Sequence, residues 1–388
     1  MRTNRRELTE LKLIHLSDLH LGKRVNEFPM LDDQKYILLE ILRIIEEEKP
    51  DGVIIAGDVY DKPIPPAEAV ALLDEFLVRL SGMKTEVFMI SGNHDSAERI
   101  AFGGRLMEHS GIHLPPVYNG DIAPCVMRDG EGEVRIWMLP FVKPADVRRA
   151  YPEEEITDYT GAVKAAIRHM DIDPSVRNVL IAHQFVTGAV RSESEDVSVG
   201  GLDNVDASAF DGFDYVALGH IHGPQHIGRE TVRYCGTPLK YSFSEKDHHK
   251  SVTVATLGEK GKTEVRTIPL VPRHEMREIR GTYDELTLMK NYEGTATDDY
   301  LRVVLTDEED VPDALARLRT IYPNIMKLDY DNRRTRSASE AGAAEEIEKK
   351  SGIELFDEFY TLQNGQPLSA EQRAFAEEVL ESLKEGTV

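Results

Sequence analysis

Residues 11–20, LKLIHLSDLH, decide the fold: an apolar run, Leu11–Leu16, is followed at once by Asp18 and His20. Short, continuously apolar runs of this kind are typical of buried strands. In open α/β sheets, ligands bind outside the carboxyl ends of the strands, so polar residues that follow such runs are expected to meet at one sheet edge. The pattern recurs at Gly52–Ala56, Glu86–Ile90, Asn178–Ala182 and Phe213–Leu218, which precede Gly57–Asp61, Gly92–Asp95, His183 and Gly219–His222.

These motifs carry the side chains of a metal site. Carboxylate and amide oxygens combined with imidazole nitrogens, without a thiolate, suit ions such as Mn²⁺ better than a structural zinc. Seven or eight ligands are too many for one ion, but they fit two ions that share a carboxylate, and Asp58 is the natural bridge. Paired ions about 3.5–4 Å apart clamp the attacking and leaving oxygens of a phosphoryl displacement. The residues therefore predict hydrolysis of a phosphoester.

Each motif has a simpler interpretation when it is taken alone. A Gly-Asp pair after a strand is usually a turn with a helix cap. A single histidine is usually a polar residue with ordinary hydrogen bonds. Several such motifs, all at the ends of predicted strands, make coincidence a poor explanation.

The chain resembles the calcineurin-like metallophosphoesterases in the order of four motifs: Asp18–Gly22, Gly57–Asp61, Ser91–Asp95 and Gly219–His222. Within that superfamily it is similar to the SbcD-like group of double-strand-break-repair nucleases, on the evidence of Ser17–Gly22 and of Cys235–Glu245. The resemblance is strong over roughly the first 270 residues. It implies a four-layer α/β/β/α sandwich with a small α+β capping domain and a C-terminal helical tail.

The resemblance also implies a role for each site residue. Water activated by two metal ions, Mn²⁺ or else Mg²⁺, attacks phosphorus, and His94 faces the phosphate and serves the leaving oxygen instead of binding metal. Asp95 is expected to orient His94, because a carboxylate fixes the tautomer and plane of an imidazole. Archaeal and eukaryotic members have a histidine where this chain has Asp61, which fits the bacterial branch. The implied ligands are Asp18, His20, Asp58 and His222 for the first ion, and Asp58, Asn93, His183 and His220 for the second.

Composition limits the remaining functions. The chain has 388 residues, of which 41% are hydrophobic and 30% charged, and two cysteines, Cys125 and Cys235, that form no C-x-x-C pair. Neither a disulfide framework nor a thiolate metal site is indicated. The apolar stretch near the N-terminus is short and is interrupted by Lys12 and His15, so we expect a first strand and not a signal peptide. No apolar run approaches membrane-spanning length, and we expect a cytoplasmic, nucleoid-associated protein.

The net charge of −23 is unusual for a protein that binds nucleic acid, because phosphate affinity normally comes from Lys and Arg. One interpretation is that a partner supplies much of the DNA binding, and the alternative is that the acidity only confers solubility. The segment Gly261–Thr263 lacks the earlier glycine of a phosphate-binding loop, so we expect a hairpin turn there.

Helical spacing of apolar residues predicts helices at Pro29–Glu48, Pro66–Leu80 and Ser96–His109. The resemblance implies that the second and third of these form a homodimer contact, although their apolar residues could equally face their own core. Gly188–Asn204 is polar and contains glycine, which indicates a mobile loop that faces either the active site or DNA.

Past Val271 the catalytic pattern ends. A strand at Met276–Arg280, a stronger one at Tyr300–Leu305, a helix at Val311–Tyr322 and a strand at Ile325–Leu328 predict a small α+β module. We divide the chain into a nuclease domain (1–272), a capping domain (273–332), a linker (333–344) and a helical segment (345–388).

The helical segment is predicted to bind a partner. Ser369 and Gln372 form a capping-box pattern, and Phe375, Val379, Leu380 and Leu383 follow at helical intervals. A unit this small buries its apolar face poorly, so we expect it to bind an SbcC-type ATPase, although packing on its own domain is the alternative.

The residues predict hydrolysis of a phosphodiester. The resemblance implies the more specific function of a Mn²⁺-dependent DNA nuclease, a 3′→5′ exonuclease on duplex ends and an endonuclease on single strands and hairpins, acting with SbcC. One alternative is a phosphoesterase acting on a small phosphodiester or a phosphoprotein. Lys62-Pro63 and Asp95 stand where the protein phosphatases typically have Arg-Gly and Glu, which weakens that alternative. A third possibility is a structural adaptor that tethers DNA ends. An intact ligand set argues against it, because buried carboxylates are costly without ions.

Overall fold

A computed structural model describes residues 10–195 and 203–333, Thr335, and scattered positions from Ile353 to Ala376. Its strands are β1 (Leu11–Leu16), β2 (Arg24–Val25), β3 (Phe28–Pro29), β4 (Gly52–Ala56), β5 (Glu86–Ile90), β6 (Ile112–His113), β7 (Cys125–Asp129), β8 (Gly132–Leu139), β9 (Arg177–His183), β10 (Phe185–Val186), β11 (Asn204–Val205), β12 (Tyr215–Gly219), β13 (Gln225–Ile227), β14 (Arg229–Tyr234), β15 (Ser251–Leu257), β16 (Thr263–Pro269), β17 (Met276–Gly281), β18 (Tyr300–Leu305) and β19 (Ile325–Tyr330). Its α-helices are α1 (Leu31–Glu48), α2 (Ala67–Gly82), α3 (Ala97–Ile100), α4 (Gly104–Met107), α5 (Pro144–Ala150), α6 (Tyr159–Arg168), α7 (Tyr283–Thr287), α8 (Met289–Tyr292) and α9 (Ala314–Leu318).

Two six-stranded sheets organise the first part of the chain. The first sheet has the order β16-β15-β1-β4-β5-β6, and the second has the order β13-β14-β12-β9-β8-β7. Parallel pairing of β1, β4 and β5 in the first sheet, and of β8, β9 and β12 in the second, puts the carboxyl ends of each set at one edge. All five predicted strands that precede a motif are present, and the expected gathering of their loops follows from this arrangement.

The sheets form the two inner layers of a sandwich. Between them lies a buried cluster that draws Leu13 and Phe88 from the first sheet and Ile136 and Ile181 from the second. A second cluster joins the first sheet to α1 and α2, and a third joins the second sheet to α5 and α6. This order of helix, sheet, sheet and helix confirms the predicted four-layer α/β/β/α sandwich.

Two predicted helices are wrong in length. Ser96–His109 is not one helix: Ser96 caps α3 by accepting a hydrogen bond from the Arg99 N–H, and the chain then breaks at Gly103, which has φ of +75°, before α4. The helix expected over Val311–Tyr322 is reduced to α9, because Asp313 has φ of +52° and so starts the helix late. Gly261 lies in the β15–β16 hairpin, as predicted.

Contacts divide the chain into two compact units. The first contains the described residues up to Glu278 together with Thr297–Arg302 and Asn324–Lys327. The second contains Ile279–Ala296, Val303–Pro323 and the described residues from Leu328 onwards. The sheet β17-β18-β19 and helices α7 to α9 confirm the predicted α+β pattern of secondary structure. The domain limits at 272, 332 and 344 stay predictions.

Most of the predicted linker and helical tail lies outside the described residues. The capping box at Ser369 is present: its Oγ accepts from the Gln372 N–H at 3.2 Å, and the Gln372 Oε1 accepts from the Ser369 N–H at 3.0 Å. In the described part of the chain, the helices are too short or too polar to span a membrane.

Candidate metal centre

Five strand ends from the two sheets supply the predicted ligands. Asp18 and His20 follow β1, Asp58 follows β4 and Asn93 follows β5, all in the first sheet. In the second sheet, His183 ends β9, and His220 and His222 follow β12. The structure therefore brings all seven predicted ligands to the place where the edges of the two sheets meet.

The backbone at this place is strained. Asp18, His20, Asp58 and His220 have φ of +52°, +45°, +47° and +105°, a region that costs a residue with a side chain about 1–3 kcal/mol. Hydrogen bonds between the loops hold this conformation: the Asp18 N–H donates to the Gly57 carbonyl at 3.0 Å, and the His20 N–H donates to the Asp58 carbonyl at 2.9 Å. Strain of this kind collects at functional sites, where the surrounding structure imposes the conformation.

Two glycines allow close approach at the site: Gly219 between the two sheets, and Gly92 between two loops of the first sheet. A Cβ atom on Gly219 would lie 1.9 Å from the Ala56 carbonyl oxygen, and one on Gly92 would lie 2.1 Å from Asp58 Oδ1. Neither distance is sterically allowed. The spacing of the ligands therefore requires backbone without side chains at both positions.

The first cluster contains Asp18, His20 and His222. One ligand atom from each lies within 4.8 Å of the other two, and all three residues are buried. The Nε2 atoms of His20 and His222 are 3.1 Å apart. Asp18 also accepts from the His220 N–H at 3.0 Å, which links the loop after β1 to the loop after β12.

The second cluster centres on Asn93 Oδ1. It lies 3.0 Å from His183 Nε2 and 2.9 Å from His220 Nδ1. Asp58 Oδ2 lies 3.3 Å from His183 Nε2 and 3.8 Å from His20 Nε2, so this carboxylate stands between the two clusters.

The donor atoms fit a pair of divalent ions. Ligands bound about 2.1 Å from an octahedral ion are about 3 Å from their neighbours, which is the spacing of both clusters. The facing Nε2 atoms of His20 and His222, 3.1 Å apart, can share one proton, or they can both present lone pairs to a cation bound beside them. Oxygen and imidazole donors without sulfur favour a hard or borderline ion.

Charges are tightly balanced at this buried place. Burial raises the pKa of Asp18 to about 6, with His183 opposing the effect and Asp58 adding to it. Burial alone would raise the pKa of Asp58 as well, but His183 and His20 outweigh it and hold the pKa well below its usual range. Burial lowers the pKa of His183, but Asp58 reverses the effect and raises it to about 9. Bound cations would replace these protons.

His94 lies at the rim of the site. Its backbone N–H donates to Asp58 Oδ1 at 2.9 Å, and its ring Nδ1 lies 3.2 Å from the Asp61 carbonyl oxygen. Its Nε2 is 3.9 Å from Asp58 Oδ2, and the side chain is 18% exposed, whereas the ring of His20 beside it is fully buried. An imidazole held at Nδ1 by a carbonyl presents Nε2 to a bound molecule, as the predicted role requires. The same distances also permit contact with metal, so the non-ligand role stays a prediction.

The hydrogen bonds of the Asp95 carboxylate go to backbone amides, and its orienting role toward His94 stays a prediction. Its carboxylate accepts from the N–H groups of Val59, Tyr60 and Gly92 at 2.9–3.0 Å, and so ties the loop after β5 to the loop after β4. The Asp61 carbonyl oxygen lies beside the His94 ring, 3.2 Å from its Nδ1. Three backbone donors are a stronger attraction for a buried carboxylate than one imidazole. Asp95 therefore links the loop after β4 to the loop after β5.

The sequence motifs missed a group of residues behind His222. Glu245 is fully buried, with its Oε1 3.6 Å from His222 Nδ1 and its Oε2 2.5 Å from Lys250 Nζ. Burial alone would raise the pKa of Glu245, but Lys250 outweighs it and holds the pKa well below the usual range. Glu245 closes the segment Cys235–Glu245 that carried the family resemblance, so a signal was present, although its purpose was not visible.

Comparisons with known proteins agree with this geometry. Residues 11–224 match the family model described as calcineurin-like phosphoesterase, and residues 272–364 match SbcD_C, described as Type 5 capsule protein repressor C-terminal domain. A relative, the SbcD subunit of the SbcCD nuclease of Staphylococcus epidermidis, is 32% identical over 369 residues, which cover 93% of this chain and 96% of the relative.

A solved structure, a dimetal phosphatase from Danio rerio, covers 67% of this chain and 99% of its own, with 12% identity and a TM-score of 0.40. Structural similarity at that TM-score is too low to support a conclusion about fold or function. The family models and the relative carry the assignment instead, since the first model spans more than half of the chain and the relative is matched almost end to end. The chain therefore belongs to the SbcD family of calcineurin-like phosphoesterases and is a metal-dependent phosphodiesterase of the nuclease class.

Proposed function

We propose that this chain is the Mn²⁺-dependent DNA nuclease subunit of a complex with an SbcC-type ATPase. The activities proposed are 3′→5′ exonuclease on duplex ends and endonuclease on single strands and hairpins. The observation that carries the proposal is the convergence of seven nitrogen and oxygen ligands, with Asp58 Oδ2 between two clusters. Membership of a nuclease family supports nucleic acid as the substrate, and the polarity of cleavage is part of the proposal.

Each group has a proposed task. Asp18, His20, Asp58 and His222 hold the first ion, and Asp58, Asn93, His183 and His220 hold the second. Paired divalent ions at such a site activate water and neutralise the charge of the phosphodiester. His94, held at Nδ1 by the Asp61 carbonyl, presents Nε2 to the leaving oxygen and supplies its proton. Asp95 fixes the distance between the loops that carry Asp58 and Asn93.

The test offers linear duplex DNA, hairpin DNA and a chromogenic phosphodiester to the purified full chain with Mn²⁺ or Mg²⁺. We expect cleavage of both DNA substrates with Mn²⁺, and a 3′-end label released before a 5′-end label. No DNA cleavage with Mn²⁺, with or without the ATPase, would overturn the nuclease. Hydrolysis of the chromogenic compound alone would favour a small-molecule phosphodiesterase.

A homodimer through the α2 to α4 region belongs to the same proposal. Large apolar side chains are exposed there: Ile64 is 74% exposed, Val78 64%, Phe102 82% and Leu106 80%. Exposed apolar groups in such number are typical of an interaction surface. We expect Leu106→Glu to shift the mass measured by light scattering from dimer to monomer, and Val271→Glu, exposed elsewhere on the chain, to leave it unchanged.

The C-terminal segment is proposed to bind the ATPase. Phe375, which follows the capped turn at Ser369, is 69% exposed. We expect Phe375→Glu to abolish co-purification with the ATPase while the variant keeps its Mn²⁺-dependent cleavage. Normal binding by this variant would remove the tail from the interface. We also propose a cytoplasmic, nucleoid-associated location for the complex.

A further inference from the structure

The ring of His222 is held on the side that faces away from the first cluster. Its Nδ1 lies 2.7 Å from Ser194 Oγ, and the same Oγ lies 2.5 Å from Glu245 Oε1. An ionised carboxylate can only accept, so the Ser194 hydroxyl must donate to Glu245. The oxygen of Ser194 then accepts from Nδ1–H of His222, and the lone pair of the ring is left on Nε2, the atom that faces His20.

Two further groups hold the Glu245 carboxylate where it can accept from Ser194. Lys250 Nζ lies 2.5 Å from Glu245 Oε2 and 2.8 Å from the carbonyl oxygen of His222. The Tyr241 N–H donates to Glu245 Oε1 at 3.3 Å. Lys250 therefore binds both the Glu245 carboxylate and the backbone carbonyl of His222. The same carboxylate, through Ser194, orients the His222 ring.

Ser194 belongs to the segment Gly188–Glu195, which we call the 188–195 loop. The loop also holds the backbone of His222, because Glu195 Oε1 accepts from the His222 N–H at 2.6 Å. Glu195 is kept in place by the Ser192 N–H at 2.8 Å, and the Glu193 N–H donates to Ser244 Oγ at 3.0 Å. The loop thus contacts the ligand at its ring and at its main chain.

We propose that Ser194 and Glu245 are positioning residues for His222, and that through Ser194 the 188–195 loop is coupled to the first metal position. This inference rests on the proposed two-metal function. Coupling of two equilibria is reciprocal: the docked loop raises metal affinity, and bound metal stabilises the docked loop by the same free energy. Residues behind a metal-bound histidine typically change metal affinity about 10–100-fold.

The experiment measures Mn²⁺ binding to the full chain by titration calorimetry. We expect Ser194→Ala to weaken one of the two binding steps by about 10–100-fold and to leave the other step unchanged. Ser194→Thr keeps a hydroxyl and is expected to restore the affinity. Glu193→Gln removes an exposed carboxylate from the same loop without touching His222, so it serves as the matched control and binds as the wild type.

Hydrogen exchange supplies a second readout that does not depend on activity. In the wild type, Mn²⁺ is expected to slow the exchange of the amides of the 188–195 loop, and in Ser194→Ala this protection is expected to be lost. Glu245→Gln is expected to act in the same direction. Should its broken ion pair with Lys250 prevent folding, Ser194→Ala, at a partly exposed position, still gives the answer.

The outcomes separate this inference from the proposed function. Fewer than two Mn²⁺ ions bound by the wild type would overturn the two-metal function itself. Two ions bound by the wild type, with unchanged affinity and loop protection in Ser194→Ala, would overturn only the positioning role. Equal losses in Ser194→Ala, Ser194→Thr and Glu193→Gln would show general damage to the loop, and would overturn it too.

Discussion

Two histidines of the same metal centre are supported in opposite ways. The Nδ1 atom of His183 lies 2.8 Å from the carbonyl oxygen of Ala56, a residue of the neighbouring sheet, whereas Nδ1 of His222 lies 2.7 Å from a serine side chain on a loop. His94 resembles His183, since a backbone carbonyl, that of Asp61, is beside its Nδ1. One part of the site is therefore fixed by the sandwich, and another depends on a surface segment.

The two kinds of support differ in how easily they can be released. A backbone carbonyl inside paired strands cannot leave without unfolding of the sheet, so His183 keeps its orientation as long as the protein is folded. A loop opens at much lower free energy than a core strand. The first metal position can therefore be altered while the second stays intact.

The largest expected effect comes from the residue that both positions share. Asp58→Ala removes the carboxylate between the clusters, so we expect loss of both ions and cleavage at the background rate. Metal content after gel filtration and the rate of hairpin cleavage measure this. Asp247→Ala, a change at an exposed aspartate, is the control, and retention of one full equivalent of Mn²⁺ by Asp58→Ala would show that the two positions are independent.

His94→Gln is expected to rank second. It should lower cleavage about 10²–10⁴-fold, the usual contribution of a general acid, because the leaving oxygen loses its proton donor. Both Mn²⁺ ions should remain, as counted by calorimetry. His226→Gln, a change at an exposed histidine, should behave as the wild type. Loss of a metal ion from the His94 variant would make His94 a ligand.

Removal of the metal with a chelator is expected to change amide exchange in the 188–195 loop, which supports His222, but not in β9, which carries His183. The amides of the 188–195 loop should exchange faster, while those of β9, which carries His183, should not change. At a free Mn²⁺ concentration of 100 times its Kd, the bound ion adds about 2.7 kcal/mol to the free energy of unfolding, which the chelator removes. Equal acceleration in β9 and in the loop would contradict the distinction between the supports.

The smallest effect is expected at Asp61. Its side chain binds Lys23 at 2.7 Å, whereas its carbonyl is beside His94. Asp61→Asn keeps the carbonyl, so we expect less than about tenfold loss of cleavage and a stability change within about 1 kcal/mol, as for other partly exposed ion pairs. Cleavage kinetics and denaturant unfolding measure both. A hundredfold loss would mean that the side chain, and not the backbone, supports His94.

The sequence allowed the strands, the sandwich and the seven converging side chains to be predicted, because each apolar run is followed directly by its polar residues. It did not allow the support of His94 to be predicted, since a backbone carbonyl has no sequence signature. Asp95 was assigned to the nearest imidazole, but its carboxylate accepts from Gly92 of its own loop and from Val59 and Tyr60 of another loop. The break at Gly103 was missed because apolar spacing continues across it. The contact of Ser194 with His222 joins positions 28 residues apart and depends on how a loop returns.

The ligands come from two sheets, so the metal centre also depends on how far apart those sheets are. Metal–ligand distances are satisfied only within about 0.2 Å, and a close-packed interior transmits small changes of volume. A larger or smaller side chain at Phe88 or Ile181, between the sheets, alters that separation. The apolar side chains between the sheets therefore influence which metal ion fits the site. Interior residues that contact neither the ions nor DNA therefore help to set the geometry of the metal site. Substitutions at these interior positions are a reasonable first step toward binding a different metal.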